Sequence, residues 1–340
     1  MTSIALDPSN SNVVVASCHD KSIIQLNIKD SKIISDPIQM KCLINEFSWQ
    51  PRFQERHDQE AQLVGACSDG SIVFFVQFRV GQATTLKVKK IVAAHEGSVT
   101  TVKWSYDGSN LVSAGEDGDV KVWSQTGHLK SVIARNESCV NCLSWNYGGN
   151  AVVTAHDEIL KILPFQDRGQ RDIVEWKVSL DQDGSAVALV VDWNNALDLI
   201  LCGGEDCRYR VYDSTGTCLF LSSQLMHPIT SAAWMLSGEA FVIGSYKSIH
   251  LCDREGLYAS HYNVESNSSI LDLHFVEYSS KIIAGCSNGN IVLANIIGKT
   301  VEWNGVIVEH AESSQLYLNY SSKINDNDDY DTLDTVSISE

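Results

Sequence analysis

The chain has 340 residues, of which 44% are hydrophobic and 20% charged, and its formal net charge is −17 at pH 7. This composition is that of a folded protein, while the negative charge disfavours nucleic acid and anionic lipid as partners and favours basic or neutral proteins. The N-terminus lacks a secretory pattern and no apolar run approaches the roughly 18 residues of a membrane helix. The sequence therefore predicts an intracellular protein without membrane insertion.

A large apolar or aromatic residue recurs along the chain, at Leu6, Trp49, Trp104, Trp145, Trp193, Trp234 and Phe275. The spacing is mostly close to the period of about 40–45 residues that is typical of β-propeller blades. Each blade is a four-stranded sheet that cannot bury both faces alone, so blades stack into a ring. Seven repeated residues predict an all-β, seven-bladed propeller over residues 1–310.

The third unit shows the order of elements within a blade. Residues 98–104, 110–114 and 120–123 alternate apolar and polar side chains, which predicts three strands. Asp107-Gly and Asp117-Gly lie between them and supply residues that tolerate the positive φ of tight turns. A fourth, outer strand is predicted around residues 128–134.

Two segments depart from this pattern. The second unit carries a polar insertion over residues 51–59, which predicts an exposed loop. Residues 311–340 are rich in Ser, Asn and Asp and contain seven acidic residues against one lysine. Such a composition cannot bury enough apolar surface to fold, so it predicts a short, disordered acidic C-terminal tail. The remaining residues still carry a net charge of −11.

The ten cysteines do not form a disulfide-dense framework, and most lie in apolar strands, which indicates reduced core residues. Cys139 and Cys142 form an isolated CxxC pair. Because no second pair or spaced histidines accompany it, we interpret it as structural and expect neither a metal site nor a cofactor.

A set of four polar and aromatic side chains in the third blade resembles that of WD repeats: His95, Ser113, Asp117 and Trp123. The six-residue spacing from aspartate to aromatic recurs at Asp206 and Tyr212, and His227 takes a similar place before its strand. Repetition at equivalent turns favours a structural hydrogen-bonded network over catalysis.

No feature of the sequence requires catalysis. Residues 285–289 match the GxSxG nucleophile pattern, but a strand follows them where that motif requires a helix. A propeller hydrolase would instead need clustered His, Asp or Glu side chains at the channel mouth, and the sequence shows no such cluster. We therefore predict a protein that is not an enzyme and has no small-molecule substrate.

Specific stretches add a family resemblance to this pattern. Residues 114–127, 199–213, 227–234 and 251–253 are similar to the first propeller of the WD-repeat intraflagellar transport protein eighty of ciliary complex B, over about residues 4–310. This resemblance implies a seven-bladed WD-repeat β-propeller that serves as a non-catalytic scaffold in cilium assembly. It also implies other complex B subunits as partners, and localisation to the cilium, the ciliary base and the cytoplasm.

Two departures from the family, and one alternative, accompany this interpretation. Members of the family begin with an additional strand and continue into a second propeller and a helical array. In this chain Met1 lies close to the first inner strand, so ring closure is expected to rely on residues 300–309. The alternative function is another intracellular WD-repeat adaptor, either vesicle-coat-like or a ubiquitin-ligase substrate receptor. The sequence identifies no partner-binding residues.

Overall fold

A computed structural model describes residues 1–8, 10–51, 62–80, 83–165, 173–178, 186–194, 196–264, 267–276, 281–297 and 300–308. The named secondary-structure elements within these residues are all β-strands, and they form seven separate sheets. The predicted all-β, seven-bladed propeller is therefore confirmed. Most of the predicted polar insertion, beyond Pro51, and the predicted tail lie outside the described residues.

Each blade is an antiparallel sheet of consecutive strands, with the innermost strand first in the chain. The first three blades contain β1 (Ser3–Leu6), β2 (Val13–Ser17), β3 (Ser22–Asn27), β4 (Lys32–Ile33) and β5 (Ile38–Gln39); β6 (Ile44–Trp49), β7 (Gln62–Cys67), β8 (Ser71–Val80) and β9 (Ala83–Ala93); and β10 (Val99–Trp104), β11 (Asn110–Gly115), β12 (Asp119–Ser124) and β13 (Leu129–Arg135). In the first blade, β4 and β5 both pair with β3.

The other four blades repeat the same order. They contain β14 (Val140–Trp145), β15 (Ala151–His156), β16 (Ile159–Pro164) and β17 (Val174–Lys177); β18 (Ala188–Trp193), β19 (Leu199–Gly204), β20 (Tyr209–Asp213) and β21 (Cys218–Leu221); β22 (Ser231–Trp234), β23 (Ala240–Gly244), β24 (Ser248–Asp253) and β25 (Tyr258–Asn263); and β26 (Ile270–Val276), β27 (Lys281–Cys286), β28 (Ile291–Ile297) and β29 (Thr300–Val308). The residues that repeat in the sequence all lie at or beside the end of an innermost strand.

The core is divided among the interfaces between blades. Seven clusters of buried apolar side chains occur in the described residues, and each cluster joins two adjacent blades. This arrangement follows from the strand pattern, because a sheet with two apolar faces must bury both against neighbours. Tight turns let the blades approach each other. Gly127 of the third blade has φ of 74°, and a Cβ atom there would lie 2.9 Å from the ring of Phe74 in the second blade.

The ring closes through innermost strands. β1 contacts β26, and Met1 and Ile4 pack with Ile283 and Ile291 of the last blade. The segment Thr300–Val308, which was expected to close the ring, pairs with β28 as the outer strand of its own blade. That expectation is therefore wrong, because the first blade already has its own outer strand and leaves no open position there.

Candidate functional site

The four side chains of the third-blade network lie within hydrogen-bonding distance. His95 Nδ1 lies 2.8 Å from Asp117 Oδ1, and His95 Nε2 lies 2.7 Å from Ser113 Oγ. Trp123 Nε1 donates to the same Ser113 oxygen at 2.8 Å. The loop before β10, strand β11, the following turn and strand β12 each supply one member, so the bonds join four segments of the blade.

The protonation of this network follows from its surroundings. Burial lowers the pKa of His95 more than the hydrogen bond and charge of Asp117 raise it, so the imidazole is neutral at pH 7. Since the carboxylate of Asp117 can only accept, Nδ1 carries the proton, and Nε2 accepts from the hydroxyl of Ser113. Every polar group in this chain of bonds is thereby satisfied.

A serine, a histidine and an aspartate in this order also form the triad of serine hydrolases. In this chain Ser113 is 0% exposed, and its oxygen accepts the indole hydrogen of Trp123. A substrate carbonyl cannot reach this oxygen. The geometry therefore suits a structural network rather than acyl transfer.

Replacing Asp117 with alanine is expected to lower the free energy of unfolding by about 1–3 kcal/mol, because the His95 ring and the backbone N–H of Glu96 lose their acceptor. Urea denaturation measures this loss. Glu137→Ala, which removes an exposed carboxylate close to the same blade, should change the value by less than about 0.5 kcal/mol. Equal stabilities for the two variants would contradict the network.

The fifth blade uses the same positions differently. Asp206 pairs with Arg210 four residues later, and the hydroxyl of Tyr212 donates to the carbonyl of Val178 at 3.0 Å. Cys202 takes the position that Ser113 has in the third blade. Cys202 pairs with Arg210 in the sheet as Ser113 pairs with Lys121, and both basic residues lie four residues after the turn aspartate. Asp206 and Tyr212 therefore do not share one network.

The GxSxG match is part of an ordinary blade turn. β27 ends at Cys286 and β28 begins at Ile291, so a strand follows Ser287 where a nucleophile elbow requires a helix. Ser287 Oγ accepts a hydrogen bond from the backbone of Ser269 at 3.0 Å, which fixes the loop that enters the last blade.

The structure also shows the surroundings of His227 and of the Cys139/Cys142 pair, both of which the sequence predicts to be structural. His227 was interpreted as equivalent to His95, but its ring packs edge-on against Tyr246 at 5.0 Å between centroids. Cys142 lines the central channel. Among the described residues neither Cys139 nor Cys142 belongs to a group of three metal-ligand side chains.

Polar side chains line the channel because each innermost strand is an edge of its sheet, with backbone groups that need partners. Five of these side chains donate to the first carbonyl of the next inner strand: Thr2 to Ile44 at 2.6 Å, Asn45 to Val99 at 2.7 Å, Thr100 to Val140 at 2.5 Å, Asn141 to Ala188 at 3.3 Å and Thr230 to Ile270 at 2.6 Å. These hydrogen bonds link successive blades around the ring.

Carboxylates in the channel cap the backbone N–H groups of neighbouring blades. Glu46 accepts from Val102 at 2.8 Å, Asp192 from Trp234 at 2.9 Å and Asp272 from Ile4 at 3.0 Å. The sequence shows no cluster of acidic and histidine side chains, but the folded channel contains Glu46, Asp192, Asp272 and His274, because these residues come from blades far apart in the chain. Their occupied oxygens join blades together.

Two basic side chains lie in the channel and line both of its cavities. Lys103 Nζ lies 2.6 Å from Glu46, and this attraction raises the pKa of Lys103 even though burial opposes its charge. His274 Nε2 lies 3.0 Å from Asp272. Cavities of about 240 Å³ and 540 Å³ lie toward the two ends of the channel, and both are lined in part by Lys103 and His274.

The larger cavity opens at the end of the ring where the turns after the innermost strands meet. We call this opening the turn-side mouth and define it by five side chains at one position of the repeat: Pro8, Pro51, Tyr106, Tyr147 and Leu236. Tyr147 is 57% and Leu236 52% exposed, and the rings of Tyr106 and Tyr147 lie 4.6 Å apart. The same turns carry the exposed acidic residues Asp107, Asp198 and Glu239.

Known proteins resemble the chain in both sequence and fold. The family model described as "WD domain, G-beta repeat" matches residues 86–124, which include the whole third-blade network. The intraflagellar transport protein 80 homologs of Rattus norvegicus and Mus musculus are each 35% identical to the chain over 260 residues, or 76% of its length. The chain is a WD-repeat propeller similar to intraflagellar transport protein 80.

The match with intraflagellar transport protein 80 is partial in length, since the chain spans about a third of these relatives, 32%. Among solved structures, Raptor from Chaetomium thermophilum superposes with a TM-score of 0.71 over 87% of the chain and 28% of Raptor, at 17% identity. This likeness shows the propeller fold alone. In the described part of the chain, no helix is long and apolar enough to cross a membrane.

Proposed function

We propose that the chain is a non-catalytic protein-interaction scaffold, a subunit of intraflagellar transport complex B that is needed for cilium assembly. The 35% identity to intraflagellar transport protein 80 supports this function most strongly. A rigid ring presents loops and exposed side chains to partners, which suits a scaffold. It would act at the cilium, the ciliary base and in the cytoplasm.

The turn-side mouth is the surface that we assign to partner binding. It combines exposed aromatic and aliphatic side chains with a cavity of about 540 Å³ that can receive an inserted side chain. Binding energy in protein interfaces concentrates in such pockets, which exclude water around an apolar anchor. Tyr106 lines this cavity, and the tilted ring of Tyr147 packs against it at 4.6 Å between centroids.

The charge around the mouth defines the chemistry of the partner segment. Asp107, Asp198 and Glu239 are exposed on the same turns, and the net charge of residues 1–310 is −11. Complementary charges favour encounter with basic segments and oppose acidic ones. The occupant that fits is an exposed segment of a partner protein with an apolar side chain between lysines or arginines.

The partners can be identified directly from ciliated cells. The tagged chain should localise to cilia and co-purify with complex B subunits, as measured by fluorescence microscopy and mass spectrometry. Recovery of coat or ubiquitin-ligase components instead would favour the alternative adaptor function. Hydrolysis of an ester, peptide or nucleotide panel by the purified chain, if lost in Ser287→Ala, would contradict the absence of catalysis.

The double variant Tyr147→Ala/Leu236→Ala is expected to reduce recovery of the partners by about ten-fold or more, because truncating anchor side chains at an interface costs about 2 kcal/mol or more. Leu219→Ala/Leu221→Ala serves as the control, since both leucines are exposed but lie on β21 at the outer edge of the fifth blade. Equal recovery of partners by both variants would exclude the turn-side mouth as the docking surface.

A further inference from the structure

Two cysteines and an aspartate lie together where the first blade meets the second. Cys42 precedes β6 and is 7% exposed, Cys67 ends β7 and is 0% exposed, and Asp69 lies in the turn that follows. Their sulfur and carboxylate oxygen atoms all lie within 4.8 Å of one another. We propose that Cys42, Cys67 and Asp69 bind one thiophilic divalent cation of the zinc type.

The spacing of the three ligand atoms fits such an ion with little movement. Zinc–sulfur bonds of about 2.3 Å in a tetrahedral site place two sulfur atoms about 3.8 Å apart. The two segments that carry the cysteines are already joined by a pair of hydrogen bonds, from Leu43 N to Ser68 Oγ at 3.1 Å and from Ser68 N to Leu43 O at 2.9 Å. The protein thus holds both thiols in place before an ion arrives.

The aspartate is oriented by its neighbour and reaches solvent. Asp69 Oδ1 accepts from Ser71 N at 3.1 Å and from Ser71 Oγ at 2.6 Å, which fixes the plane of the carboxylate. Such bonds to a ligand typically orient it toward the metal. Because Asp69 is exposed, an ion can enter from this side, and a water molecule can complete a tetrahedral set.

The two thiols determine which ions can bind. Each must release its proton to solvent when a metal–sulfur bond forms. Thiolate sulfur is a soft ligand, which favours Zn²⁺ or Cd²⁺ over Mg²⁺ and Ca²⁺, the ions that prefer oxygen ligands.

The seventh blade offers an internal comparison, because it has the same pair of hydrogen bonds but only one of the three ligands. Ser268 stands seven residues before Phe275, as Cys42 does before Trp49, and it lies against Cys286. Asn288 takes the place of Asp69 in the turn. This blade therefore offers one thiol, one hydroxyl and one amide, and the substitution Cys42→Ser gives the second blade the hydroxyl of the seventh.

The test is a titration of the purified, fully reduced chain with Cd²⁺, followed by the ultraviolet absorption of cadmium–thiolate bonds, and a parallel zinc measurement after dialysis. The chain is expected to bind one ion, and Cys42→Ser or Asp69→Asn should weaken binding by about ten-fold or more. Cys286→Ser and Cys139→Ser should leave the affinity and stoichiometry unchanged.

Two results would overturn the site. One is the absence of a stoichiometric thiolate absorption in the folded wild-type chain, and the other is unchanged affinity in Cys42→Ser and Asp69→Asn. Circular dichroism confirms that each variant is folded, and Asp69→Asn, an exposed substitution of similar size, keeps the test valid if either cysteine variant fails to fold. Thiol counting before titration shows that Cys42 and Cys67 have not oxidised.

Discussion

Replacing Phe241 with alanine is expected to lower the free energy of unfolding by about 3–5 kcal/mol, because the change leaves a cavity in a fully buried site. Phe241 is 0% exposed and lies at the interface between the fifth and sixth blades. Its ring contacts Trp234 edge-on at 4.8 Å and Tyr209 at 5.7 Å between centroids. The loss should appear in urea denaturation as a lower midpoint with an unchanged slope.

The control for this substitution is Leu221→Ala. Leu221 is 48% exposed on the outer strand of the fifth blade, so its truncation should change stability by less than about 0.5 kcal/mol. A loss below about 1 kcal/mol in Phe241→Ala would show that blades do not depend on their shared interfaces. The packing account of the ring would then be wrong.

Replacing Asp272 with alanine is expected to cost about 2–3 kcal/mol near pH 5.5, because it removes the acceptor at the junction of first and last blades. The Asp272 carboxylate accepts from Ser3 Oγ and from Ile4 N, each at 3.0 Å, and contacts His274. Without it, the backbone N–H of Ile4 is left unpaired at the closure of the ring. Chemical denaturation of both proteins at several pH values measures the difference.

The pH dependence of this difference follows from two opposite shifts. Burial lowers the pKa of His274, but the Asp272 charge outweighs it and the net pKa is raised, so the contribution of His274 is complete below about pH 6.5 and disappears as the pH rises through its folded pKa. Burial raises the pKa of Asp272, but His274 and the Ile4 N–H lower it overall, so its contribution is present above about pH 3.8 and is lost as the pH falls through its folded pKa. The cost of Asp272→Ala should therefore be largest between these values and smaller at pH 9.

The double-mutant cycle with His274→Asn isolates this electrostatic part. In that background Asp272→Ala should lose its dependence on pH above 6, because no imidazole remains to titrate beside it. A cost that stays constant from pH 5.5 to pH 9 in the wild-type background would contradict the proposed pairing.

The overall fold could be predicted from the sequence because one structural position repeats in every blade. The large side chain at the end of each innermost strand packs in the same surroundings, so Trp104 and Trp145 recur at the blade period. The closure was harder to predict. It depends on contacts between Ile4 and Ile283, which no local sequence pattern connects. The sequence of Thr300–Val308 is compatible with an outer strand of the first or of the last blade, and in the structure it belongs to the last.

The site was predicted only where its members share one blade. His95, Ser113 and Asp117 follow a repeat pattern, so their proximity could be inferred from spacing. Glu46 and Asp192 occupy different positions on inner strands of distant blades, and only the ring brings them to one channel. Exposed side chains that define the turn-side mouth also escape prediction, because the repeat reports packing and not the variable surface.

We propose that this propeller docks onto intraflagellar transport complex B. Size-exclusion chromatography of the purified chain with a complex B preparation that lacks its intraflagellar transport protein 80 subunit measures this docking most directly. The wild-type chain is expected to elute with the complex, and Tyr147→Ala/Leu236→Ala is expected to elute separately. Separate elution of the folded wild-type chain, with a cooperative melting transition, would contradict the proposed function.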